Sequence, residues 1–295
     1  MNEKKSSWTN MVYMTVQTPL HVGCGEGNGK VDLPVQRSIF GYPIVEGSSW
    51  KGAIRLAKGY NVAKSTTDEN GRSWISVIFS DMRLLCFPVK SSKYAYCFIT
   101  CPGILRRFIK EREQFGITHK FKTIQDAQSA LQNSINGRIF VPETLKEEKY
   151  LYLQQYSLEI LYDPDVAVFL ADLWKEYILH SGKNYKWNQE KNRIVVVSDE
   201  DFYQLMENGM EVVVRNQIDR KTGTTKARSL FIEEYVPEES VFYGFLTQMR
   251  DILREDEGNE LSNLVNEFAS MKKMQLGSGE SLGKGNVYLE VIHNE

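Results

Sequence analysis

Apolar and polar residues alternate from the start of MVYMTVQTP, with Val12, Met14 and Val16 set against Tyr13, Thr15 and Gln17. A period of two predicts a half-buried strand that stops at Pro19. Beyond a glycine-rich stretch, GSSWKGAIRLAKG places Trp50, Ile54 and Ala57 on one helical face, with Ser48 or Ser49 as cap and Gly59 as the end. Residues 60–74 are polar and rich in turn formers, hence a loop. MRLLCFPV and YAYCFIT, joined by KSSK, read as a hairpin, and CPGILRRFIKERE carries a proline suited to a helix's first turn. Strand, helix, hairpin, helix is the order of a split βαβ unit of the ferredoxin type.

The pattern weakens over residues 115–190, where the clear element is an amphipathic helix at DPDVAVFLADLWKEYIL. That stretch is expected to be an insertion packed on the first unit. RIVVVSDEDFYQLMENGMEVVVRNQID then reads as strand, helix, strand, with Ser198 or Asp199 as the cap. DRKTGTTKAR sets Arg220, Lys221, Lys226 and Arg228 around a Thr-Gly-Thr turn between two alternating segments, which predicts a long basic hairpin projecting from the sheet. SVFYGFLTQM, a helix near NELSNLVNEFASM, a second glycine run GSGESLGKG and a last strand NVYLEVI complete the chain.

No clean linker or short repeat divides the sequence. The expectation is an α+β fold in one domain over 1–295, with 60–190 mostly insertions and a protruding hairpin at 216–230. With 295 residues, 42% of them apolar, the chain can bury a substantial core. Its 36 basic and 38 acidic residues give a formal net charge of −2, so no bulk positive field draws nucleic acid to every face, and any polyanion site is local. No segment approaches the roughly 20 apolar residues that span a bilayer, which argues against a membrane role and for the cytoplasm. Cys24, Cys86, Cys97 and Cys101 make no disulfide framework, and Cys97 and Cys101 lack the second pair that a zinc site needs.

Two glycine runs are the first candidate chemistry. Successive main-chain N–H groups without side chains can form a concave anion cradle, although such runs also simply punctuate structure. GCGEGNG is followed by a helix that opens with Ser48, Ser49 and Lys51, and its N-terminal amides and Lys51 favour a phosphate. Neither run matches a nucleotide-binding motif. Asp32 lies in extended context with Pro34 two residues on. It can cap a turn, accept the proton of a ribose 2′-OH, or hold a divalent ion that neutralises charge on phosphate oxygens. His21 reads as a packed strand-end residue or as an acid or base. Glu233 and Glu234 sit on a predicted strand and face opposite sides, so one of them can point at a site; the plain alternative is a solvated edge.

TPLHVGCGEGNGKVDLPVQR, GYPIVEGSSWKGAIR, IDRKTGTTKARSLFIEEYVPEESVFYG and GSGESLGKGNVYLEV, in that order, resemble the RAMP superfamily of CRISPR effector subunits. The likeness is strongest to the backbone endoribonuclease subunit of the type III-B (Cmr) complex, and it covers about a third of the chain. The resemblance implies an RRM-like (ferredoxin-like) palm with insertions and a β-hairpin thumb. It also implies stacking of copies into a filament along a CRISPR guide RNA beside other Cmr subunits, with target single-stranded RNA cut at regular intervals for antiviral defence. It places the cleaving acid at Asp32, which also touches the metal, with Glu233 or Glu234 as a strand acid and His21 as a further candidate. RNA contacts fall on Gly23, Gly25, Gln36, Arg37, Ser48, Ser49, Lys51, Arg55, Ile218, Arg220, Lys221, Thr222, Gly277, Ser278, Gly279 and Lys284. The implied cofactor is a divalent metal, Mg2+ or Mn2+, and the products are a 2′,3′-cyclic phosphate and a 5′-OH. Trp50 stands where the family more usually shows leucine. The alternatives are a filament scaffold that binds RNA without cutting it and a small-molecule phosphotransferase using the glycine runs.

Overall fold

The first alternation does form a strand, β1 (Thr9–Val16), but all eight of its residues are buried rather than every second one. The reason is a strand paired on both sides and covered by helices, in a computed structural model that describes residues 9–25, 27, 29–58, 65–67, 73–75, 77–117, 124–132, 136–180, 192–226, 228–248 and 272–292. In chain order the further elements are β2 (Ile44–Val45), α1 (Gly47–Lys58), β3 (Ser65–Thr67), β4 (Ser73–Ile75), β5 (Val77–Phe79), β6 (Met82–Ser91), β7 (Ala95–Thr100), α2 (Pro102–Gln114) and α3 (Ile124–Leu131). They continue with β8 (Arg138–Phe140), β9 (Tyr150–Leu153), β10 (Tyr156–Leu161), α4 (Pro164–His180), β11 (Ile194–Val197), α5 (Asp199–Gly209), β12 (Glu211–Arg215), β13 (Phe231–Tyr235), β14 (Val241–Gln248), β15 (Lys273–Gln275) and β16 (Asn286–Ile292).

β1 lies between β14 and β16, antiparallel to both, with Thr15 opposite Val241 and Met11 opposite Ile292. Helices cover the Tyr13 face: Tyr13 meets the Phe108 ring of α2 at 6.4 Å and donates to Glu176 of α4. Arg112 of α2, almost wholly buried, also pairs with Glu176. The main sheet runs β15-β16-β1-β14-β6-β7-β11-β8-β10-β9. β14, from late in the chain, therefore stands between β1 and the β6–β7 hairpin. Residues 138–161 extend the same sheet edge to edge, and β9 returns to β6 where Leu153 faces Ser91, closing six strands into a ring. Their short segments, RIF and YLYL among them, carry too few residues for a period to show.

The helix starts follow local chemistry. Ser198 caps α5, its hydroxyl oxygen accepting from Asp201 N at 3.0 Å. α1 differs from expectation. Gly47 N donates to Asp81 Oδ1 at 2.9 Å, so a carboxylate distant in sequence satisfies the helix start, while Ser48 and Ser49 sit inside the first turn. Ala57 is exposed, and Trp50 and Ile54 carry the buried face. Residues 60–74 include a small ladder, β3 with β4. The helix expected near 259–271 lies outside the described residues. Among those described, no helix is long and apolar enough to cross a membrane.

Trp50 is fully buried, donates from Nε1 to Ser80 O at 2.8 Å and meets the Phe79 ring edge-on at 4.6 Å. Trp50→Leu removes ring volume and leaves that carbonyl without its donor. We expect a loss of about 2–4 kcal/mol, read as a lower urea midpoint.

Candidate functional site

Asp32 is fixed by the strand it lies against. Its amide and that of Leu33 both donate to Ile232 O, at 3.1 and 3.0 Å, and Glu234 N donates back to Leu33 O at 3.0 Å. Residues 32–33 thus form a short parallel extension along β13, with Leu33 beside Glu233. The Asp32 side chain is exposed, and its Oδ2 accepts from Ile232 N at 2.7 Å. No second hydrogen bond to this carboxylate occurs among the described residues, which leaves Oδ1 to solvent or substrate. The capping expected of Asp32 thus falls on one oxygen and leaves the other open.

His21 is buried and its Nδ1 lies 2.7 Å from Glu234 O. A carbonyl can only accept, so Nδ1 carries the proton and Nε2 holds a lone pair in the neutral ring. Nε2 points at Gly23: a Cβ built there would lie 2.8 Å from it. The ring meets Tyr235 edge-on at 5.6 Å. Glu233 and Tyr235, two apart on β13, share a face with Arg215 of β12. Arg215 Nε donates to Glu233 Oε2 at 2.8 Å and Nη2 to Tyr235 Oη at 2.7 Å, while Tyr235 Oη donates to Glu233 Oε2 at 2.5 Å. Burial would raise the Glu233 carboxyl, but the Tyr235 and Arg215 hydrogen bonds, together with His21, hold it below its ordinary range. The Tyr235 phenol is pushed up, by burial first and then by its bond to Glu233. Near neutral pH the face therefore presents a carboxylate, a protonated phenol and a guanidinium.

The solvated-edge alternative for the two glutamates does not hold, because Glu233 and Glu234 are both buried. Glu234, on the opposite face, accepts from Val35 N at 3.0 Å and pairs with Arg37 Nη2 at 2.6 Å. Arg37 also pairs with Glu207 and donates to Gly41 O at 2.7 Å. Its guanidinium, expected at RNA, is thus bound to protein groups that hold residues 32–37 against β13 and α5.

The C-terminal glycine loop joins the same cluster. Ser278 N donates to His21 O at 2.9 Å, Gly285 N to Pro19 O at 3.0 Å, and Gly283 N and Lys284 N bond within the loop. These amides are directed inward. The loop presents outward the Ser278 hydroxyl, 3.4 Å from Glu233 Oε1, and Lys284, whose Nζ lies 5.0 Å from the Tyr235 ring centre, while Gly279 packs on the Lys284 stem. In the first glycine loop, Cys24 N donates to Pro34 O and Gly23 pairs with Val35, while Gly25 is exposed with φ +90°. Gln36 ties the acid's segment to α1, its Oε1 accepting from Glu46 N at 3.2 Å. Ser48, Ser49, Lys51 and Arg55 lie on α1, where Lys51 Nζ approaches the Phe79 ring at 5.7 Å. No contact among the described residues joins them to Asp32. The basic hairpin is present: β12 pairs with β13, Ile218 faces Thr225, and Ile218, Arg220, Lys221 and Thr222 are exposed near its turn.

Tyr235 and Arg215 were not among the sequence candidates. Strand register was the available signal, since residues two apart share a face and Glu211, Val213 and Arg215 lie opposite Tyr235, Glu233 and Phe231. For a divalent ion the donors are sparse. No group of three His, Cys, Asp or Glu side chains among the described residues is arranged to hold one. The one open oxygen of Asp32 would suit a Mg2+-type ion, which takes few ligands from protein, and does not make a protein cage.

A sequence profile of the RAMP superfamily matches residues 13–288. The CRISPR system Cmr endoribonuclease Cmr4 of Pyrococcus furiosus is 27% identical over 300 residues, covering 96% of this chain and 97% of that protein. The CRISPR system CMR subunit Cmr4 of Saccharolobus solfataricus is 25% identical over 316 residues, covering 96% of each. The crystal structure of oligomeric Cmr4 from Pyrococcus furiosus superposes with a TM-score of 0.72 at 23% identity, over 97% of this chain and 99% of that one. A cryo-EM structure of the type III-B Cmr-beta complex bound to cognate target RNA contains a chain with a TM-score of 0.73 at 21% identity, over 96% of each.

Proposed function

The chain belongs to the RAMP superfamily, and from that premise we propose that it is the guide-RNA-binding backbone subunit of a type III-B CRISPR effector complex that cleaves complementary target RNA at regular intervals. The observation that carries this reading is the docking of Asp32 against Ile232 of β13, the strand that also carries Glu233 and Tyr235, with one carboxylate oxygen left open at the base of an exposed basic hairpin. The names of the relatives support it, one an endoribonuclease and one a complex bound to target RNA. In this reading the sheet and its helices are an RRM-like palm within one domain, residues 60–190 are mostly insertions, and 216–230 is the thumb. Its partners are guide RNA, target RNA, further copies of the chain and the other Cmr subunits, in the cytoplasm.

The chemistry is transesterification. The 2′-oxygen attacks its own phosphorus as its proton passes toward Asp32 Oδ1, and the P–O5′ bond breaks. The departing O5′ takes up a proton, leaving a 2′,3′-cyclic phosphate and a 5′-OH. Tyr235 and Arg215 keep Glu233 ionised, and His21 Nε2 is directed at Gly23. In the alternative role of the same oxygen, Asp32 Oδ1 would hold Mg2+ or Mn2+, and the ion would neutralise charge on the phosphate oxygens. Sequence choice comes from guide–target pairing, with the protein reading backbone and shape.

A second reading, a filament scaffold that does not cut, is favoured by one observation: Asp32 Oδ2 already caps Ile232 N–H. The assembled subunit with guide, complementary RNA and Mg2+ separates the two. Evenly spaced cuts are expected; intact target at all times would support the scaffold, and tight ATP binding without RNA affinity would point to a phosphotransferase. In the same assay, replacing Arg220 and Lys221 by alanine is expected to weaken RNA binding about tenfold and to reduce the salt slope by about one for each phosphate no longer neutralised.

A further inference from the structure

Arg215 ends β12, where the paired strands give way to the exposed hairpin, and its side chain returns to the face that carries Glu233 and Tyr235. Three hydrogen bonds close a triangle among Arg215, Glu233 and Tyr235, and two of them end on the same oxygen, Glu233 Oε2. Among the described residues the other oxygen, Oε1, has only the long 3.4 Å approach of the Ser278 hydroxyl. We propose that Arg215 is a positioning residue for RNA cleavage, pinning Glu233 Oε2 so that Oε1 faces the substrate and orienting the Tyr235 hydroxyl toward Glu233. This inference rests on the reading above that the β13 face is the cleaving face.

Arg215 suits the task for a geometric reason. A guanidinium is a rigid planar fork, and here its Nε and Nη2 reach two different acceptors at once. A lysine is a single point charge on a flexible stem and cannot fix both. Leu33, bridged through its backbone to Glu233, holds the Asp32 segment on the same strand, so the triangle and the acid share one support. The charged and titratable groups around Glu233 are Arg215 from β12, Tyr235 from β13, His21 from the loop after β1 and, across the Tyr235 ring, Lys284 from the glycine loop. Glu211, opposite Tyr235 in register, lies within the field of Lys284. With Arg215 removed, burial of Glu233 is opposed by fewer partners, and its carboxyl becomes easier to protonate.

The test is single-turnover cleavage of complementary RNA by the assembled complex across pH 5.5–8.5, for wild type, Arg215→Met, Arg215→Lys, Glu233→Gln and the double variant Arg215→Met with Glu233→Gln. The expected result is a cleavage rate about tenfold lower for Arg215→Met at pH 6, with recovery toward pH 8, so that the acid limb moves to higher pH. Arg215→Lys should restore part of the acid-side rate, and Arg215→Met should add little to a Glu233→Gln background. Target affinity should stay within about twofold, because the hydrogen bonds removed are internal to the protein. A rate loss with an unchanged pH profile, a loss that tracks weaker RNA binding, or equal rates for Arg215→Met and wild type would each overturn the inference while leaving the cleavage reading intact. A wild-type complex that leaves its target uncut would overturn both.

Discussion

Asp32→Asn is expected to lower target cleavage by about 10²–10⁴-fold while leaving RNA binding within about twofold. Asparagine keeps a side-chain oxygen where Asp32 Oδ2 accepts from Ile232 N, so the cap and the docking along β13 survive. What disappears is the negative charge on the open oxygen, and with it both the capacity to take the 2′-OH proton and a strong ligand for a divalent ion. Alanine at the same position would confound the two roles, since it also leaves Ile232 N without its partner. Single-turnover rates and equilibrium binding, measured on the same assembly, separate them. An Asp32→Asn complex that cuts at the wild-type rate would place the chemistry elsewhere on the face, with His21 and Glu233 next to be replaced. Equal loss of cutting and of binding would make Asp32 a structural residue.

The parts of the candidate site whose local structure was legible in the sequence are those with local causes. Asp32 was marked by extended context and Pro34, the basic hairpin by turn residues between two alternating segments, and the α5 cap by Ser198 or Asp199, of which Ser198 is the one that accepts from Asp201 N. Elements with a strong local period likewise appear where they were expected, as α2, α4 and the β6–β7 hairpin do. What escaped was set by partners distant in the chain. Asp81, not a neighbouring serine, satisfies the start of α1. Arg37, a natural phosphate ligand by type, lies between Glu234 and Glu207, about 170–200 residues away. Tyr235 and Arg215 gain significance only once β12 and β13 are in register. β1 looked half-buried because alternation reports side-chain type, whereas burial depends on how many layers the fold sets against a strand.

The second glycine run makes the same distinction measurable. As a phosphate cradle it would keep its amides open; as a packing device it needs glycine where backbones meet. At Gly277 a Cβ would stand 2.1 Å from His21 O and 2.9 Å from His21 C, and φ is +79°. At Gly283, in the same loop with φ +70°, a Cβ would meet nothing within 4 Å. Both alanine substitutions carry the left-handed backbone cost, on the order of 1 kcal/mol. Gly277→Ala must also push apart two main chains, for a total expected loss of about 3 kcal/mol or more. The displaced atom is the carbonyl of His21, which accepts from Ser278 N, so the ring that faces Gly23 moves with it and cleavage should fall along with stability. Urea midpoints and cleavage rates for the two variants check this. Equal midpoints would mean that the loop relaxes freely, and the tight approach at His21 would then have no part in holding the site.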